Sequence, residues 1–160
     1  GFDIHAFEDD KEMFLGGVKL PYEFGFKAHS DGDVLIHSVI DALLGAIGAG
    51  DIGEFFPDTS DEYKGIDSKL LLDHIVAFVY NVGYEIVNVD TTIIAQKPKI
   101  NPYKNEIKNS MAKLLKIEKQ FINIKATTAE KMGFIGRGEG VAVQSIATVK
   151  YYNWKTKWIY

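Results

Sequence analysis

The sequence predicts an α+β domain with interleaved elements, in which helices pack on one face of a mixed four-stranded sheet. Apolar residues recur at helical spacing in some segments, and β-branched residues form runs in others. No linker, repeat or low-complexity stretch separates these segments before residue 151. The 160 residues are enough to bury one core. We therefore expect a single domain over residues 1–150 and an aromatic, basic extension over residues 151–160.

The strands are predicted from short apolar or β-branched segments. Residues 1–7 open the chain with a strand, and residues 14–20 form a short hairpin whose turn is Gly16 and Gly17. The remaining strands are predicted at residues 87–94, 121–127 and 140–149.

Three helices are predicted from apolar spacing and from the residues that precede them. The first carries its apolar side chains over residues 36–47 and follows Asp31 and Asp33, a residue type suited to N-capping. The second begins at Asp67 and ends near residues 81–83. The third covers residues 102–116, because proline is well placed in a first helical turn.

One long connection is predicted between the first two helices. Residues 51–65 are rich in Gly, Asp, Pro and Ser, a composition typical of loops. We expect a mobile loop that carries two exposed aromatic side chains, Phe55 and Phe56.

Composition narrows the classes of partner. The net charge is −4 and no basic cluster is present, which argues against nucleic acid because phosphate-backbone binding needs a Lys/Arg-rich face. No apolar run approaches the length of a membrane span, so we expect no membrane partner. The chain has no cysteine, so any bound metal must use His, Asp or Glu. A small-molecule ligand is favoured.

One set of side chains has the composition of a catalytic zinc site. Asp3 and His5 are two residues apart on a predicted strand and share a face, while His37 lies on the polar side of the first helix. One carboxylate and two imidazoles leave zinc a fourth position. Asp33 and Asp41 flank His37 at i−4 and i+4, and we expect either carboxylate to orient its ring. The short spacing leaves a purely structural role open.

Longer motifs extend over nearly the whole chain. They are GFDIHAF at residues 1–7, AHSDGDV at 28–34, DALLGA at 41–46, GDIG at 50–53, FPDT at 56–59, NVD at 88–90, IIAQ at 93–96, KATT at 125–128 and GFIGRGEG at 133–140. In these segments the chain resembles the 2-C-methyl-D-erythritol 2,4-cyclodiphosphate synthases. The resemblance implies a cyclase that converts 4-diphosphocytidyl-2-C-methyl-D-erythritol 2-phosphate to the 2,4-cyclodiphosphate and CMP, in the non-mevalonate route to isoprenoid precursors.

The resemblance also implies two kinds of metal site and an assembly. Asp3, His5 and His37 are expected to bind Zn²⁺, one ion per active site. Glu130 is expected to help hold Mg²⁺ or Mn²⁺ between the substrate phosphates, a setting of hard oxygen ligands. The implied assembly is a homotrimer with active sites at subunit interfaces, where one chain brings the zinc and the next brings the cytidine pocket.

The resemblance assigns the substrate to further segments. His29 and Thr128 are expected to stabilise the transition state. The cytidine pocket is expected at Ala95, Gln96, Lys97, Pro98, Lys99, Ile100, Asn101, Ala126, Thr127 and Thr128, with Ala129 and Glu130 beside it. The methylerythritol phosphate is expected at Asp3, Ile4, His5, His29, Ser30, Asp51, Ile52, Gly53, Phe56, Pro57, Asp58, Thr59 and Ser60.

Two further residues are implied at the three-fold axis of the trimer. Phe134 and Arg137 match positions where a cavity takes up an isoprenoid-like phosphate. A salt bridge between Arg137 and Glu139 would explain that arginine equally well. In the same way, Phe56 is open to a role in a satellite core and Asp58 to a role as a turn former.

Two other functions remain open on the residues alone. A zinc phosphohydrolase would use the same Asp-His-His set to activate water. A non-catalytic trimeric carrier of prenyl phosphates would use the Arg137 region. Product analysis distinguishes both alternatives from the cyclase, because only the cyclase releases CMP together with a cyclic diphosphate.

The cellular setting is predicted from composition. Arg137 is the single arginine among 18 basic residues, and the chain begins at Gly1 without an apolar leader. We expect a plastid- or apicoplast-type organelle with the leader removed; the alternative is the bacterial cytoplasm. Fusion to a preceding cytidylyl transferase occurs in the resembled family, and we expect none here because the chain is too short.

Overall fold

The computed structural model describes residues 1–57 and 63–152. Within these ranges the strands are β1 (Phe2–Glu8), β2 (Met13–Leu15), β3 (Val18–Leu20), β4 (Gly25–Phe26), β5 (Tyr84–Ile94), β6 (Ile122–Thr127) and β7 (Gly140–Tyr151). The helices are α1 (Val34–Ile47), α2 (Ile52–Phe55), α3 (Ser68–Asn81), α4 (Lys104–Leu115) and α5 (Gly133–Gly136). Helices and strands alternate along the chain, which confirms the predicted fold class.

The main sheet of the described residues has five strands rather than the predicted four, in the order β4-β1-β7-β5-β6. β5 and β6 are parallel and the other neighbours are antiparallel, so the sheet is mixed. The additional strand is β4, where Phe26 pairs with Phe7 of β1. Two residues are too few to show an alternating pattern, which is why sequence alone did not reveal this strand. The predicted hairpin is confirmed as the separate pair β2 and β3.

One face of the main sheet is covered by helices. Along β7, Val141, Val143 and Ser145 are buried, whereas Gln144 and Ile146 between and beyond them are exposed. α1 packs against β7 and β1, α3 against β5, and α4 against β6. Burial of alternate residues is typical of a sheet with one packed face. The core therefore lies between this face and the helices.

Helix α1 begins where its cap predicts. The Asp33 carboxylate accepts the backbone N–H of Ile36, and Gly48 ends the helix in the left-handed conformation. The same carboxylate is fully buried and accepts the N–H groups of Gly16 and Gly17 in the β2–β3 turn. Asp33 thus fixes both the start of α1 and its position against the hairpin.

The region after α1 differs from the predicted mobile loop. Ile52–Phe55 form the short helix α2, capped by Asp51, whose carboxylate accepts the N–H of Glu54. Phe55 and Phe56 are half-buried rather than exposed. Phe55 meets the ring of Phe78 on α3 at a centroid distance of 5.0 Å. Apolar packing against α3 therefore orders part of this segment.

Helices α3 and α4 and the longer strands agree with the sequence pattern, whereas the short helix α5 was not predicted. α3 follows its predicted cap Asp67, and α4 follows a 3₁₀ turn over Asn101–Tyr103. β7 continues through Tyr151, and the N–H of Tyr152 donates to the Gly83 carbonyl. The rest of the predicted extension, residues 153–160, lies outside the described residues. Within the described ranges, no helix has the length and apolar character needed to cross a bilayer.

Candidate metal and substrate site

β1 and the first turn of α1 bring together three side chains that could hold a metal ion. Asp3 and His5 lie on the same face of β1, because alternate residues of a strand share a face. His37 lies in the first turn of α1, and this helix packs against β1. The three side chains expected as zinc ligands therefore converge and are half-buried.

The distances between their atoms fit a metal ion. Asp3 Oδ2 lies 3.1 Å from His5 Nε2 and 3.3 Å from His37 Nδ1. Tetrahedral zinc with bonds of about 2.0–2.1 Å holds its ligand atoms roughly 3.3 Å apart. Asp3 Oδ2 is also buried and has no hydrogen-bond partner of adequate geometry among the described residues. A divalent cation between these atoms would compensate that oxygen, so the residues present fit such an ion.

The two imidazoles change the pKa of the carboxyl group between them. Burial by itself would raise the pKa of Asp3, but the nearby rings of His37 and His5 outweigh burial and lower it far below its ordinary value. Burial opposes protonation of His5, yet the Asp3 carboxylate outweighs burial and raises the pKa of that imidazole. Asp3 is therefore anionic at neutral pH, and protons would compete with any metal ion for His5.

The second ring nitrogen of each histidine faces away from Asp3, and its hydrogen-bond partners differ from those expected. His5 Nδ1 lies 2.8 Å from the Gly32 carbonyl oxygen. His37 Nε2 lies 2.9 Å from Ser68 Oγ and 3.2 Å from Ser30 Oγ. The expectation that Asp33 or Asp41 orients His37 is wrong. Their carboxylates are occupied by backbone N–H groups, those of Gly16, Gly17 and Ile36 at Asp33 and that of Ile52 at Asp41.

A cavity of about 510 Å³ adjoins the cluster. His5 and His37 form part of its wall, so a ligand in the cavity has access to the metal position. The predicted substrate residues that line it are His29, Ser30, Ile52, Gly53, Phe56 and Pro57. The lining residues that the sequence analysis missed are Ala28, Tyr63, Ile66 and Leu71. These four are mainly apolar, so their composition did not distinguish them from core residues.

Some predicted residues of this group lie elsewhere. Asp51 caps α2 and does not line the cavity. Ile4 is 40% exposed on β1, where its N–H donates to Asp3 Oδ1 over 2.8 Å. The predicted residues Asp58, Thr59 and Ser60 lie outside the described residues.

A second cavity, of about 400 Å³, lies where the cytidine pocket is expected. It is lined by Ala95, Gln96, Pro98, Lys99, Ile100, Asn101, Ala126, Thr127 and Thr128. Lys97 is the expected member of this segment that does not contribute to the lining. The ends of β5 and β6, which run in parallel, meet at this cavity. Among the described residues, none lines both cavities.

A tight turn follows Thr128 at the edge of the second cavity. Thr128 Oγ1 donates to Glu130 Oε1 over 3.0 Å, and Glu130 and Lys131 both have positive φ. The Gln96 side-chain oxygen accepts the N–H of Lys131. Glu130 does not belong to the cluster formed by Asp3 and the two histidines within the described part of one chain.

Phe134 and Arg137 lie on the surface at α5. Phe134 is 43% exposed. Arg137 Nε donates to Glu139 Oε1 over 2.6 Å, so the alternative salt bridge is present in the isolated chain. The neighbouring carboxylate raises the pKa of Arg137, and the guanidinium lowers the pKa of Glu139.

Two residues missed by the sequence analysis lie next to the Asp3-His5-His37 group, which we call the metal cluster. Ser68 is fully buried and contacts His37, and Asp31 accepts hydrogen bonds from the hydroxyl and the N–H of Ser68. Ser68 carries only the signal of a helix start, and 31 residues separate it from His37. Local spacing therefore offers no sign of this contact.

Comparison with known proteins identifies relatives. The bifunctional enzyme IspD/IspF of Aliarcobacter butzleri is 84% identical over 157 residues, which cover 98% of this chain and 42% of that enzyme. The IspF–CDP complex of Plasmodium falciparum is 34% identical, with a TM-score of 0.83 and coverage of 96% and 94% of the two chains. A 2C-methyl-D-erythritol-2,4-cyclodiphosphate synthase structure is 30% identical, with a TM-score of 0.86 and coverage of 94% and 97%.

The chain thus spans about two fifths of the length of the bifunctional enzyme that it matches. Further bifunctional relatives are also bacterial, among them that of Sulfurovum. These relatives argue against the expected plastid-type organelle and favour the bacterial alternative. The YgbB family model matches residues 1–150, and the chain therefore belongs to the YgbB family.

Proposed function

We propose that this chain catalyses the cyclisation of 4-diphosphocytidyl-2-C-methyl-D-erythritol 2-phosphate to 2-C-methyl-D-erythritol 2,4-cyclodiphosphate with release of CMP. The observation that carries the proposal is the Asp3-His5-His37 cluster, with its uncompensated oxygen, at the wall of a 510 Å³ cavity. Its relatives include a cyclodiphosphate synthase with nearly complete coverage of both chains. The same reasoning assigns the reaction to the non-mevalonate route to isoprenoid precursors.

The reaction needs little proton transfer. An oxygen of the substrate's 2-phosphate attacks the β-phosphorus of the cytidine diphosphate group, and the new P–O bond closes the ring. The bond between the β-phosphorus and the bridging oxygen breaks, and CMP leaves with that oxygen. The attacking phosphate is already ionised, so no general base is required. The protein must instead fold a flexible substrate and neutralise charge on the transferring phosphoryl group.

The residues of the first cavity would hold the phosphate end of the substrate. Asp3, His5 and His37 would hold zinc with one coordination position left for substrate. Bound zinc supplies positive charge beside the phosphate oxygens. His29, in the cavity wall, and Thr128, in the second cavity, are proposed to stabilise charge on the phosphates in the transition state.

The remaining substrate contacts are assigned by cavity. The methylerythritol phosphate is proposed to occupy the first cavity, against Ser30, Ile52, Gly53, Phe56 and Pro57. The predicted contacts of Asp51, Ile4 and residues 58–60 stay proposals that need substrate to test. The cytidine group is proposed to occupy the second cavity, and the complex of a relative with CDP supports a cytidine ligand. Lys97, Ala129 and Glu130 would border that group.

We propose that each active site forms between two subunits of a homotrimer. Within residues 1–57 and 63–152, the metal cavity and the proposed cytidine cavity have no lining residue in common, which supports contributions from two chains. The sheet face opposite the helices offers a contact surface, because Phe2, Ile4 and Ile146 are 55%, 40% and 61% exposed there. Head-to-tail contacts related by a three-fold rotation would close three such subunits into a ring.

A second cation is proposed at Glu130. Its carboxylate accepts a hydrogen bond from Thr128, next to the second cavity. A carboxylate together with phosphate oxygens is a setting that suits Mg²⁺ or Mn²⁺. Because the substrate phosphates would supply part of its oxygen ligands, this ion would bind together with the substrate.

Phe134 and Arg137 are proposed to take up an isoprenoid-like phosphate at the three-fold axis. Arg137 is now paired with Glu139, so this ligand would have to compete with that carboxylate.

We further propose that residues 1–150 form one domain and that the protein acts in the bacterial cytoplasm, the setting that the bacterial relatives favour.

The decisive experiment measures products rather than binding. The zinc-loaded chain is incubated with the diphosphocytidyl substrate in ¹⁸O-labelled water, and products are identified by ³¹P NMR and mass spectrometry. The proposal requires CMP and an unlabelled cyclic diphosphate in equal amounts. Asp3→Asn and His37→Ala should abolish both products, because each removes one metal ligand.

The same experiment separates the two alternatives. A phosphohydrolase would incorporate ¹⁸O from the labelled water into the product. A carrier would bind prenyl phosphate and release no CMP. Either of these results, or full turnover by metal-free Asp3→Asn protein, would sink the cyclase proposal. His74→Ala is the matched control, since His74 lies on the exposed side of α3 outside the metal cluster.

A further inference from the structure

A chain of side chains connects the metal cluster to the start of α3. His37 Nδ1 faces Asp3 Oδ2, and His37 Nε2 lies 2.9 Å from Ser68 Oγ. The Ser68 hydroxyl donates to Asp31 Oδ1, and its backbone N–H donates to Asp31 Oδ2 over 3.1 Å. Ser68 is the first residue of α3 and is fully buried. The hydroxyl therefore has a defined position between an imidazole and a carboxylate.

The donors and acceptors in this chain determine which ring nitrogen carries hydrogen. A carboxylate accepts hydrogen bonds, so the single proton of the Ser68 hydroxyl is directed to Asp31. Ser68 Oγ can then only accept from His37, which requires hydrogen on Nε2. Nδ1 is left with its lone pair directed at the space beside Asp3 Oδ2.

We propose that Ser68 and Asp31 form a positioning pair that holds His37 as a metal ligand through Nδ1. The inference rests on the proposed zinc site and extends it to residues that contact neither metal nor substrate. Outer hydrogen-bond partners fix the tautomer and the ring orientation of metal-binding histidines. Ser68 performs this role for His37, and Asp31 orients the serine hydroxyl.

The loop before α1 connects Ser68 to both histidines of the metal site. Ser30, Asp31 and Gly32 are consecutive, and each contacts a group of the metal site or its support. The Gly32 carbonyl lies 2.8 Å from His5 Nδ1, Ser30 Oγ lies 3.2 Å from His37 Nε2, and Asp31 binds Ser68. Ser30 therefore offers a weaker substitute when Ser68 is changed.

The test compares zinc affinity among single variants, measured by competition with a chromophoric chelator. Ser68→Ala removes the hydroxyl and keeps the N–H bond to Asp31, so it should weaken zinc binding by roughly 10- to 100-fold. The double variant Ser30→Ala/Ser68→Ala should weaken it further, because both acceptors of His37 Nε2 are lost. Asp31→Asn should also weaken binding, since its amide has one acceptor oxygen and so loses the bond to either the N–H or the hydroxyl of Ser68.

Two control variants separate this role from ordinary structural support. Ser38 is also fully buried, and its hydroxyl donates to Ser145 over 2.6 Å instead of to the cluster. Asp67 caps α3, the helix that begins at Ser68, by accepting the N–H of Lys69. Ser38→Ala and Asp67→Ala should lower thermal stability but bind zinc as the unsubstituted chain does.

Two spectroscopic measurements complete the test. Cobalt substituted for zinc should give altered visible bands in Ser68→Ala and unaltered bands in Ser38→Ala. In the zinc-loaded, ¹⁵N-labelled chain, long-range ¹H–¹⁵N NMR should find hydrogen on His37 Nε2 and none on Nδ1. With four histidines in the chain, the signals can be assigned by single substitutions.

The outcomes are distinguishable from failure of the proposed function. If the unsubstituted chain binds no zinc, the metal site itself is wrong. If it binds zinc but Ser68→Ala has the same affinity and the same cobalt spectrum, the positioning pair is overturned while the metal site stands. Hydrogen on Nδ1 of the zinc-loaded chain would overturn the pair as well.

Discussion

The buried carboxylate of Asp33 accepts a 2.9 Å hydrogen bond from the backbone N–H of Gly16, and this contact joins the start of α1 to the β2–β3 turn. The same side chain accepts the N–H groups of Gly17 over 2.6 Å and Ile36 over 3.0 Å. Because α1 carries His37 in its first turn, the position of the hairpin and that of a proposed metal ligand depend on one carboxylate.

We predict that Asp33→Ala destabilises the fold strongly. It removes a helix cap and leaves buried N–H groups without an acceptor, which should lower the free energy of unfolding by about 2–4 kcal/mol. Urea unfolding followed by circular dichroism measures this loss. Asp67→Ala is the matched control, because Asp67 caps α3 through one bond at a half-buried position. Equal losses in the two variants would contradict the prediction.

The second prediction concerns the pH dependence of the metal-free chain. The pKa of His5 is raised above 6.5 because the Asp3 carboxylate outweighs burial. Its stabilising effect is therefore complete below pH 6.5 and is lost as the pH rises through the raised pKa. The pKa of Asp3 is lowered from 3.8, so its contribution is present above pH 3.8 and is lost as the pH falls through the lowered pKa.

The unfolding free energy of the metal-free chain should thus fall as the pH rises above 6.5, through the His5 contribution. His5→Gln should lack that part of the decline. Zinc affinity should rise over the same range, because a metal binds the neutral imidazole and displaces its proton. Urea unfolding with chelator and zinc titration at each pH measure the two trends. A zinc affinity independent of pH would contradict the assignment of His5 as a ligand.

The Asp3-His5-His37 cluster shows how much of the site can be predicted from local sequence. The two-residue period of a strand suffices to place Asp3 and His5 on one face. Convergence with His37 depends on the packing of α1 against β1, which spacing does not specify. The motif resemblance supplied that step. Ser68 and Asp31, which lie beside this cluster, were not predicted because their contacts join segments far apart in the chain.

The fold itself followed largely from periodicity and caps. The element types and their order were predictable because apolar spacing, Asp caps and glycine turns agree along the chain. The short elements were not predictable. β4 has too few residues to alternate, and the helix α2 lies in a segment whose composition is that of a loop. Phe55 is half-buried there because α3 provides Phe78 as a partner, a tertiary contact.

The third prediction compares two neighbouring phenylalanines. Both are half-buried, but only Phe56 lines the cavity beside the metal cluster, whereas Phe55 packs on Phe78. Phe56→Ala and Phe55→Ala should each lower the free energy of unfolding by about 1–2 kcal/mol, since roughly half of each ring is buried. Only Phe56→Ala should raise KM for the diphosphocytidyl substrate. Steady-state kinetics beside urea unfolding separates the two effects, and an equal KM increase in both variants would contradict the cavity assignment.

The fourth prediction concerns metal removal. A zinc ion bound to Asp3, His5 and His37 stabilises only the folded chain, so zinc at 100 times its dissociation constant should add about 2.7 kcal/mol to the free energy of unfolding. Chelation should reverse the gain. Thermal unfolding with and without zinc checks this, with His37→Ala expected to lose the gain and His74→Ala expected to keep it. A zinc effect that survives in His37→Ala would place the bound ion elsewhere.

The last prediction tests whether an active site combines two chains. His37→Ala damages the metal cavity, and Ala126→Phe would fill the second cavity, which Ala126 lines. Each variant alone should be inactive. If every site takes its metal from one subunit and its cytidine pocket from the next, equal mixing after refolding should restore about one quarter of the activity, because both halves are intact in that fraction of sites. Mass spectrometry must show mixed trimers, and His37→Ala mixed with Asp3→Asn is the control that should stay inactive. Mixed trimers without activity would mean that both cavities of a working site belong to the same chain.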